Sequence, residues 1–356
     1  MSSVDLKTRL EATLVGGMIS GAIALGKQLG LFDALAAVSS AEDPADAGRV
    51  AERAGCKERY VREWLCAMGC AEYIQMDRNE RFWMTEEQIH EFTGLNNINV
   101  AFMRNVPIVL KPFNELADAF KRGGRHGLAY SEFADFYAMM DEVTRAMHGK
   151  HLIPSYLPLI GMADKLAAGG LRVLDVGCGL GFHSIALAKE YPKCQFIGVD
   201  LSEKAIGMAK EAQKKANVDN LEFLVMDAGA MAEEWTASFD LITIFDACHD
   251  QMRPDKCVRE IHRLLKPDGL FAMLEVRGCS NAWEDKQLAP SFIAAMYAIS
   301  MFHCLPVASN SPDALCMGAL WGEKRATKLI SEAGFDNIQT VNPPFFPKNV
   351  VYLCRK

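Results

Sequence analysis

Leu174-Asp175-Val176-Gly177-Cys178-Gly179-Leu180-Gly181 is the stretch on which the fold turns. An apolar run enters it, three glycines follow at alternate positions, and SIALAKEY (184–191) reads as a helix directly after them. Glycine in such a turn lets the backbone bend tightly and approach a ligand with no Cβ in the way. The chain on either side of the helix repeats the pattern. RVLDV (172–176), QFIGVD (195–200), LEFLVMD (221–227), DLITIFD (240–246) and LFAMLE (270–275) are five apolar runs. Amphipathic stretches such as SEKAIGMAKEAQKKA (202–216) and CVREIHRLL (257–265) separate them. Regular alternation of this kind implies a parallel sheet covered by helices on both faces. DNIQTV (336–341) and NVVYLC (349–354) close the chain with little between them, so the last strand pairs antiparallel. The expected class is α/β, a Rossmann-like seven-stranded sheet over residues 166–356.

Upstream the pattern changes. Val15, Met18, Ile19, Ala22 and Ile23 recur at helical spacing until Gly30. Arg49 to Ala54 and Arg59 to Met68 make two short helices around a turn at Gly55-Cys56. AEYIQM and RFWMT then alternate like strands about Asp77-Arg78-Asn79. Residues 1–90 therefore read as a mostly helical winged-helix domain. Residues 91–165 read as a helical linker whose second half is rich in aromatics and methionine. That stripe suits core packing first, and a lid or wall over a substrate pocket second.

A winged helix raises the question of DNA. Residues 1–90 hold 3 Lys and 7 Arg against 14 Asp and Glu, a balance of −4. A DNA reader needs a basic face for phosphates, so a dimerisation or pocket-wall role is expected and nucleic acid is not. The whole chain of 356 residues carries a formal charge of −7, which recruits neither nucleic acid nor an anionic membrane. No apolar run reaches the length of a membrane span on this reading, since Leu14 to Leu35 is broken by Lys27, Gln28 and Asp33. The N-terminus lacks the apolar core of a secretory signal. Eleven scattered cysteines with no CxxC pair fit free thiols in the cytosol, and no metal site is expected.

Asp200 ends the second run of the sheet, nineteen positions after Gly181, where a carboxylate can accept from both hydroxyls of a ribose. Asp227 ends the third run, within reach of an adenine amino group. A nicotinamide-binding turn would place a third glycine at position 182, where Phe182 stands. Residues 166–356 thus resemble a class I S-adenosylmethionine-dependent methyltransferase, with DVGCGLG as its glycine motif and LLKPDGL before the fifth strand. The resemblance implies that Gly177, Gly179 and Gly181 flank the methionine part of S-adenosyl-L-methionine. It places Asp175 beside the amino group and Asp227 with Ala228 beside adenine. Leu201 and Asp246 count among the cofactor contacts.

His249, in Asp246-Ala247-Cys248-His249-Asp250 past the fourth strand, is the candidate base. Its His-Asp pair resembles that of plant-type O-methyltransferases, which also join a winged-helix dimerisation domain to a Rossmann-like one. That group brackets its histidine with two acids, matched here by Glu275 and Glu323. Over essentially the whole chain, the sequence is similar to winged-helix methyltransferases of mycobacteria and nematodes. Phe302-His303-Cys304, Trp321-Gly322-Glu323 and the tail Asn349 to Tyr352 carry that likeness. Nematode members look like small-thiol methyltransferases, which implies a thiol acceptor, with O-methylation of a hydroxylated metabolite as the alternative. An S-adenosylmethionine-sensing DNA-binding regulator and a protein methyltransferase come after these. Met296, His303, Cys304 and Trp321 are the candidate pocket lining, and a homodimer is implied by the resemblance.

Overall fold

The computed structural model describes residues 5–94, 97–133 and 135–356. Residues 1–4, part of the stretch read for a signal, and residues 95, 96 and 134 of the linker span lie outside the described residues. The chain forms two compact units, residues 1–111 and 112–356, and the 91–165 span is shared between them.

The first unit opens with the helix Leu6–Gln28, whose amino end is capped by the Asp5 carboxylate accepting from Lys7 and Thr8. Leu31–Val38, Ala47–Ala54 and Glu58–Cys70 follow. Asp46 caps the third helix and Gly55 ends it, so the helix-turn-helix is written in its terminal residues. Strands β1 (Gln75–Met76) and β2 (Phe82–Trp83) pair antiparallel, and Ala45 bridges Phe82 as a third element of the wing. Phe32 anchors the core, stacked on Phe92 at 4.6 Å and edge-on to Trp64 at 4.8 Å. In the second helix of the motif Arg59 pairs with Glu63 and Arg62 with Glu80, each at 2.5 Å.

The second unit carries β3 (Arg172–Val176), β4 (Gln195–Asp200), β5 (Leu221–Val225), β6 (Phe239–Phe245), β7 (Leu265–Val276), β8 (Asn337–Val341) and β9 (Asn349–Arg355). They form one sheet in the order β5-β4-β3-β6-β7-β9-β8. The first five are parallel, and β9 pairs antiparallel with both β7 and β8. Side chains alternate across the sheet. Ile242, Ile244, Phe271 and Met273 fill one face, and Leu241, Leu270, Ala272 and Leu274 the other. Burying each of these leucine, isoleucine, phenylalanine and methionine side chains contributes ~1.5–3 kcal/mol. Strand β7 begins at Leu265, five residues earlier than the apolar run, because Leu265 pairs with Phe239 before a register shift.

One expectation about apolar runs is overturned. The helical stretch Pro290–Ala308 has 19 residues and enough apolar character to span a membrane by length and composition. Ile293, Ser300, His303, Cys304, Val307 and Ala308 on it are nevertheless buried inside the protein.

Candidate active site

The carboxyl ends of β3, β4, β6 and β7 converge on one site, as the topology of an open parallel sheet requires. Its first half is built on the glycine turn. The Gly177 and Cys178 amides donate to the Val199 carbonyl at 2.8 and 3.0 Å, which ties the turn to β4. Gly181 has a φ of +79° and packs so closely that a Cβ would lie 2.3 Å from the Phe223 ring. Gly179 has a φ of +54°, but a Cβ there would meet no protein atom within 4 Å. Its amide donates to Asp200 Oδ2 at 2.9 Å, and the Ser202 amide donates to Oδ1 at 2.9 Å. Burial pushes the Asp200 carboxyl up, and the Tyr137 phenol stands within its electrostatic reach.

Two further acids stand deeper. Asp175 accepts from Ser184 Oγ at 2.7 Å and Thr243 Oγ1 at 3.2 Å, and burial raises it to about 6. Asp246 accepts from Asn349 Nδ2 at 2.8 Å, and burial, then the Glu275 charge, raise it to about 7. The Tyr156 hydroxyl is buried without a hydrogen-bond partner among the described residues, within electrostatic reach of both acids. Asp227 lies exposed two residues past β5, accepting from the Gly229 amide at 2.8 Å, with Ala228 buried beside it and Leu201 exposed after Asp200.

The second half centres on His249. Its Nδ1 lies 2.5 Å from Glu275 Oε2, and Glu275 Oε1 accepts from the Cys248 and His249 amides at 3.0 and 3.2 Å. Nε2 lies 3.4 Å from Asp250 Oδ1. Burial pulls the imidazole down, but Glu275, Asp250 and Cys304 together hold it well above its ordinary value. Tyr130 donates to the other Asp250 oxygen across 120 residues of sequence. Cys304 reaches His249 and Asp250 from the π-helical turn Ser300–Cys304, and burial pushes its thiol up to about 12. The fold thereby brings one atom each of His249, Asp250 and Cys304 within 4.8 Å of one another, a grouping that sequence spacing does not display.

Glu323 does not bracket His249. It lies exposed in the first turn of the helix Gly322–Glu332, where it accepts from Thr340 Oγ1 of β8 at 3.0 Å. The second acid at the imidazole is Asp250. Glu323→Gln is therefore expected to change turnover by less than about twofold, and a loss of ~10²-fold or more, typical of removing an acid–base group, would restore the bracketing role. Trp321 is fully buried in one face of the sheet's core with Ile244, Met273 and Tyr352, and its Nε1 has no hydrogen-bond partner among the described residues. Met296 is half-buried on the helix Pro290–Ile299, while His303 and Cys304 are buried beside Asp250. Asp250 enters the sequence reading only as the second member of the His-Asp pair, whereas Tyr130, Tyr137 and Tyr156 have the aromatic stripe at 130–156 as their one signal.

Residues 168–334 match a family described as "Methyltransferase domain", and residues 17–93 match "Rv2258c-like winged HTH domain". The chain has a methyltransferase domain behind a winged helix-turn-helix domain. It is 32% identical over 106 residues to a "Ubiquinone biosynthesis O-methyltransferase" of Pseudomonas entomophila, covering 30% of this chain and 44% of that protein. The chain spans about half the length of the curated relatives it matches. The solved mitomycin 7-O-methyltransferase MmcR superposes with a TM-score of 0.68 at 17% identity, over 98% of both chains. NcsB1, an O-methyltransferase from neocarzinostatin biosynthesis solved with S-adenosylmethionine and 2-hydroxy-5-methyl naphthoic acid, gives 0.67 at 15%, over 100% of this chain and 99% of its own. The fold is that of class I S-adenosylmethionine-dependent methyltransferases.

The site's charge fits that cofactor. Asp175, Asp200 and Asp246 are buried or half-buried acids around a turn that opens at Gly179. A pyrophosphate would be repelled there, whereas a sulfonium and an ammonium are attracted. Asp200 would hold the ribose, and Asp175, Asp246 and the unpartnered Tyr156 hydroxyl would face the methionine end.

Proposed function

We propose that the chain is an S-adenosylmethionine-dependent methyltransferase whose acceptor is a small, ionisable nucleophile, a thiol first and a phenolic hydroxyl second. One observation carries this reading. A buried histidine, held by Glu275, stands at the same end of the sheet as the cofactor residues Gly179 and Asp200.

When bound, S-adenosylmethionine supplies a methyl group open to in-line displacement. The protein's part is to align the acceptor and manage one proton. Alignment alone can supply ~7–11 kcal/mol of the barrier. Glu275 fixes the His249 ring through Nδ1, which leaves Nε2 for the acceptor's proton. As the acceptor takes the methyl, its proton passes to Nε2, where the Asp250 carboxylate stabilises the imidazolium. An imidazole held above its ordinary value matches an acidic acceptor best. A thiol titrates near ~8.5 and a phenol near ~10, while an aliphatic alcohol lies far higher.

The thiol is favoured by the whole-chain likeness to nematode small-thiol methyltransferases and by the soft Cys304 and Met296. The hydroxyl is favoured by the O-methyltransferases among the relatives and by the aromatic walls Tyr130, Phe133 and Phe136. Purified protein incubated with S-adenosylmethionine and matched thiols and phenols is expected to release S-adenosylhomocysteine, fastest with thiols. Release with phenols alone would move it to the O-methylating group. Cofactor binding without release from any small acceptor would contradict the reading.

The eleven free cysteines support a reducing compartment, the cytosol. A homodimer is supported by the helix Leu6–Gln28, where Leu6, Leu10, Leu14 and Met18 recur four apart and are each 62–70% exposed. A row of that kind on a helix face suits burial against a second copy. Leu10→Asp with Leu14→Asp is expected to halve the mass measured by light scattering, and an unchanged mass would exclude this face as the interface.

A further inference from the structure

We propose that His303 reads a second polar group on the methyl acceptor, so that the preferred acceptor is an aromatic ring bearing two adjacent polar substituents. One substituent reacts at His249 and the other hydrogen-bonds to His303. This rests on the reading of His249 as the acceptor's proton partner.

His303 is fully buried, and neither of its ring nitrogens has a hydrogen-bond partner among the described residues. Buried polar atoms are almost always paired, because an unpaired one forfeits its hydration with no return. The surroundings are aromatic. Phe136 stacks on the imidazole at 3.5 Å and 13°, while Phe133 and Tyr130 stand edge-on at 4.6 and 5.3 Å. These are ring surfaces, and they offer a flat aromatic guest dispersion contacts but the imidazole no polar partner.

The chemistry of the ring matches a hydroxyl or thiol. Burial pulls His303 down to about 4, against a smaller opposing pull from Asp250, so it is neutral at physiological pH. A neutral imidazole presents one N–H donor and one lone pair. It can therefore accept from, or donate to, a group that does both.

Its place in the chain sets where that group lies. His303 precedes Cys304 on the π-helical turn Ser300–Cys304, and Cys304 reaches His249. Such turns are frequent at functional sites. Asp250 acts electrostatically on both His249 and His303, and its buried Oδ1, 3.4 Å from His249 Nε2, makes no hydrogen bond among the described residues. His303 also feels the His249 ring, the group that takes the proton. A second substituent next to the reacting one would meet the unpaired nitrogens of His303.

The test compares catechol with phenol and 2-mercaptophenol with thiophenol, on wild type, His303→Phe and His303→Gln, reading kcat/KM from S-adenosylhomocysteine release. Wild type is expected to prefer the bifunctional member of each pair by about 10- to 100-fold, the size of one or two lost hydrogen bonds. His303→Phe collapses that ratio toward one. His303→Gln, whose amide also donates and accepts, recovers part of it. A ratio that persists in His303→Phe, or an equal fall for both members of each pair, would overturn the proposal while leaving the methyltransferase reading intact. No release from any of the four acceptors by wild type would overturn the reading of the acceptor site and this proposal with it.

Discussion

Gly179→Val and Asp200→Ala each weaken S-adenosylmethionine binding by roughly 100-fold or more in calorimetry, with the fold intact by circular dichroism. Asp200 offers a carboxylate to the ribose, and hydrogen bonds to a charged group are worth about 1.5–3 kcal/mol each. Two such bonds exceed the ~2.7 kcal/mol that separates affinities 100-fold apart. Gly179 acts differently. Its φ of +54° disfavours any β-branched residue, at a cost on the order of 1–3 kcal/mol. No protein atom obstructs a side chain there, so the valine would project into the space the ligand needs. Gly181 offers the contrast. A side chain at that position collides with Phe223, so its substitution is expected to lower stability rather than affinity alone. Wild-type affinity in either of the first two variants would remove the cofactor from this turn.

The second large effect concerns His249. His249→Ala is expected to lower turnover of a phenol by ~10²–10⁴-fold, the range of a lost acid–base group. A thiol loses less, because a fraction of it arrives already ionised. The pH dependence carries the sign. The proton acceptor is the neutral imidazole, so kcat/KM for a phenol rises as the pH climbs through the His249 pKa. Despite its burial, the charges of Glu275 and Asp250 hold that pKa above the ordinary 6.5, so half-maximal rate lies above pH 6.5 in wild type. Glu275→Gln removes the strongest of the influences that raise it and leaves the downward pull of burial. The acidic limb then moves to lower pH. A limb that stays in place, or equal losses for thiol and phenol in His249→Ala, would assign His249 a structural role.

Much of the fold is legible in the sequence because its signals are local. RVLDV and QFIGVD coincide with β3 and β4, and the helix-turn-helix is marked by Asp46 and Gly55. Gly179 and Asp200 are legible as a pair because they stand at the carboxyl ends of β3 and β4, which lie side by side in the sheet. The acceptor half is not. Asp250 meets Tyr130 across 120 residues, Asp246 meets Asn349 across 103, and Cys304 reaches His249 only through the insertion after β7. Periodicity carries no information about such contacts. Glu323 shows the converse error, since an acid at a plausible position points out of its helix toward Thr340.

The most direct measurement follows a labelled methyl group. Wild-type protein and Asp200→Ala are each mixed with S-adenosylmethionine carrying an isotopic label on its methyl carbon, together with thiophenol and phenol. Label is expected in the methylated acceptor with wild type and roughly none with Asp200→Ala. Label that remains on a cofactor still bound by the wild type, with every acceptor unchanged, would contradict methyl transfer at this site.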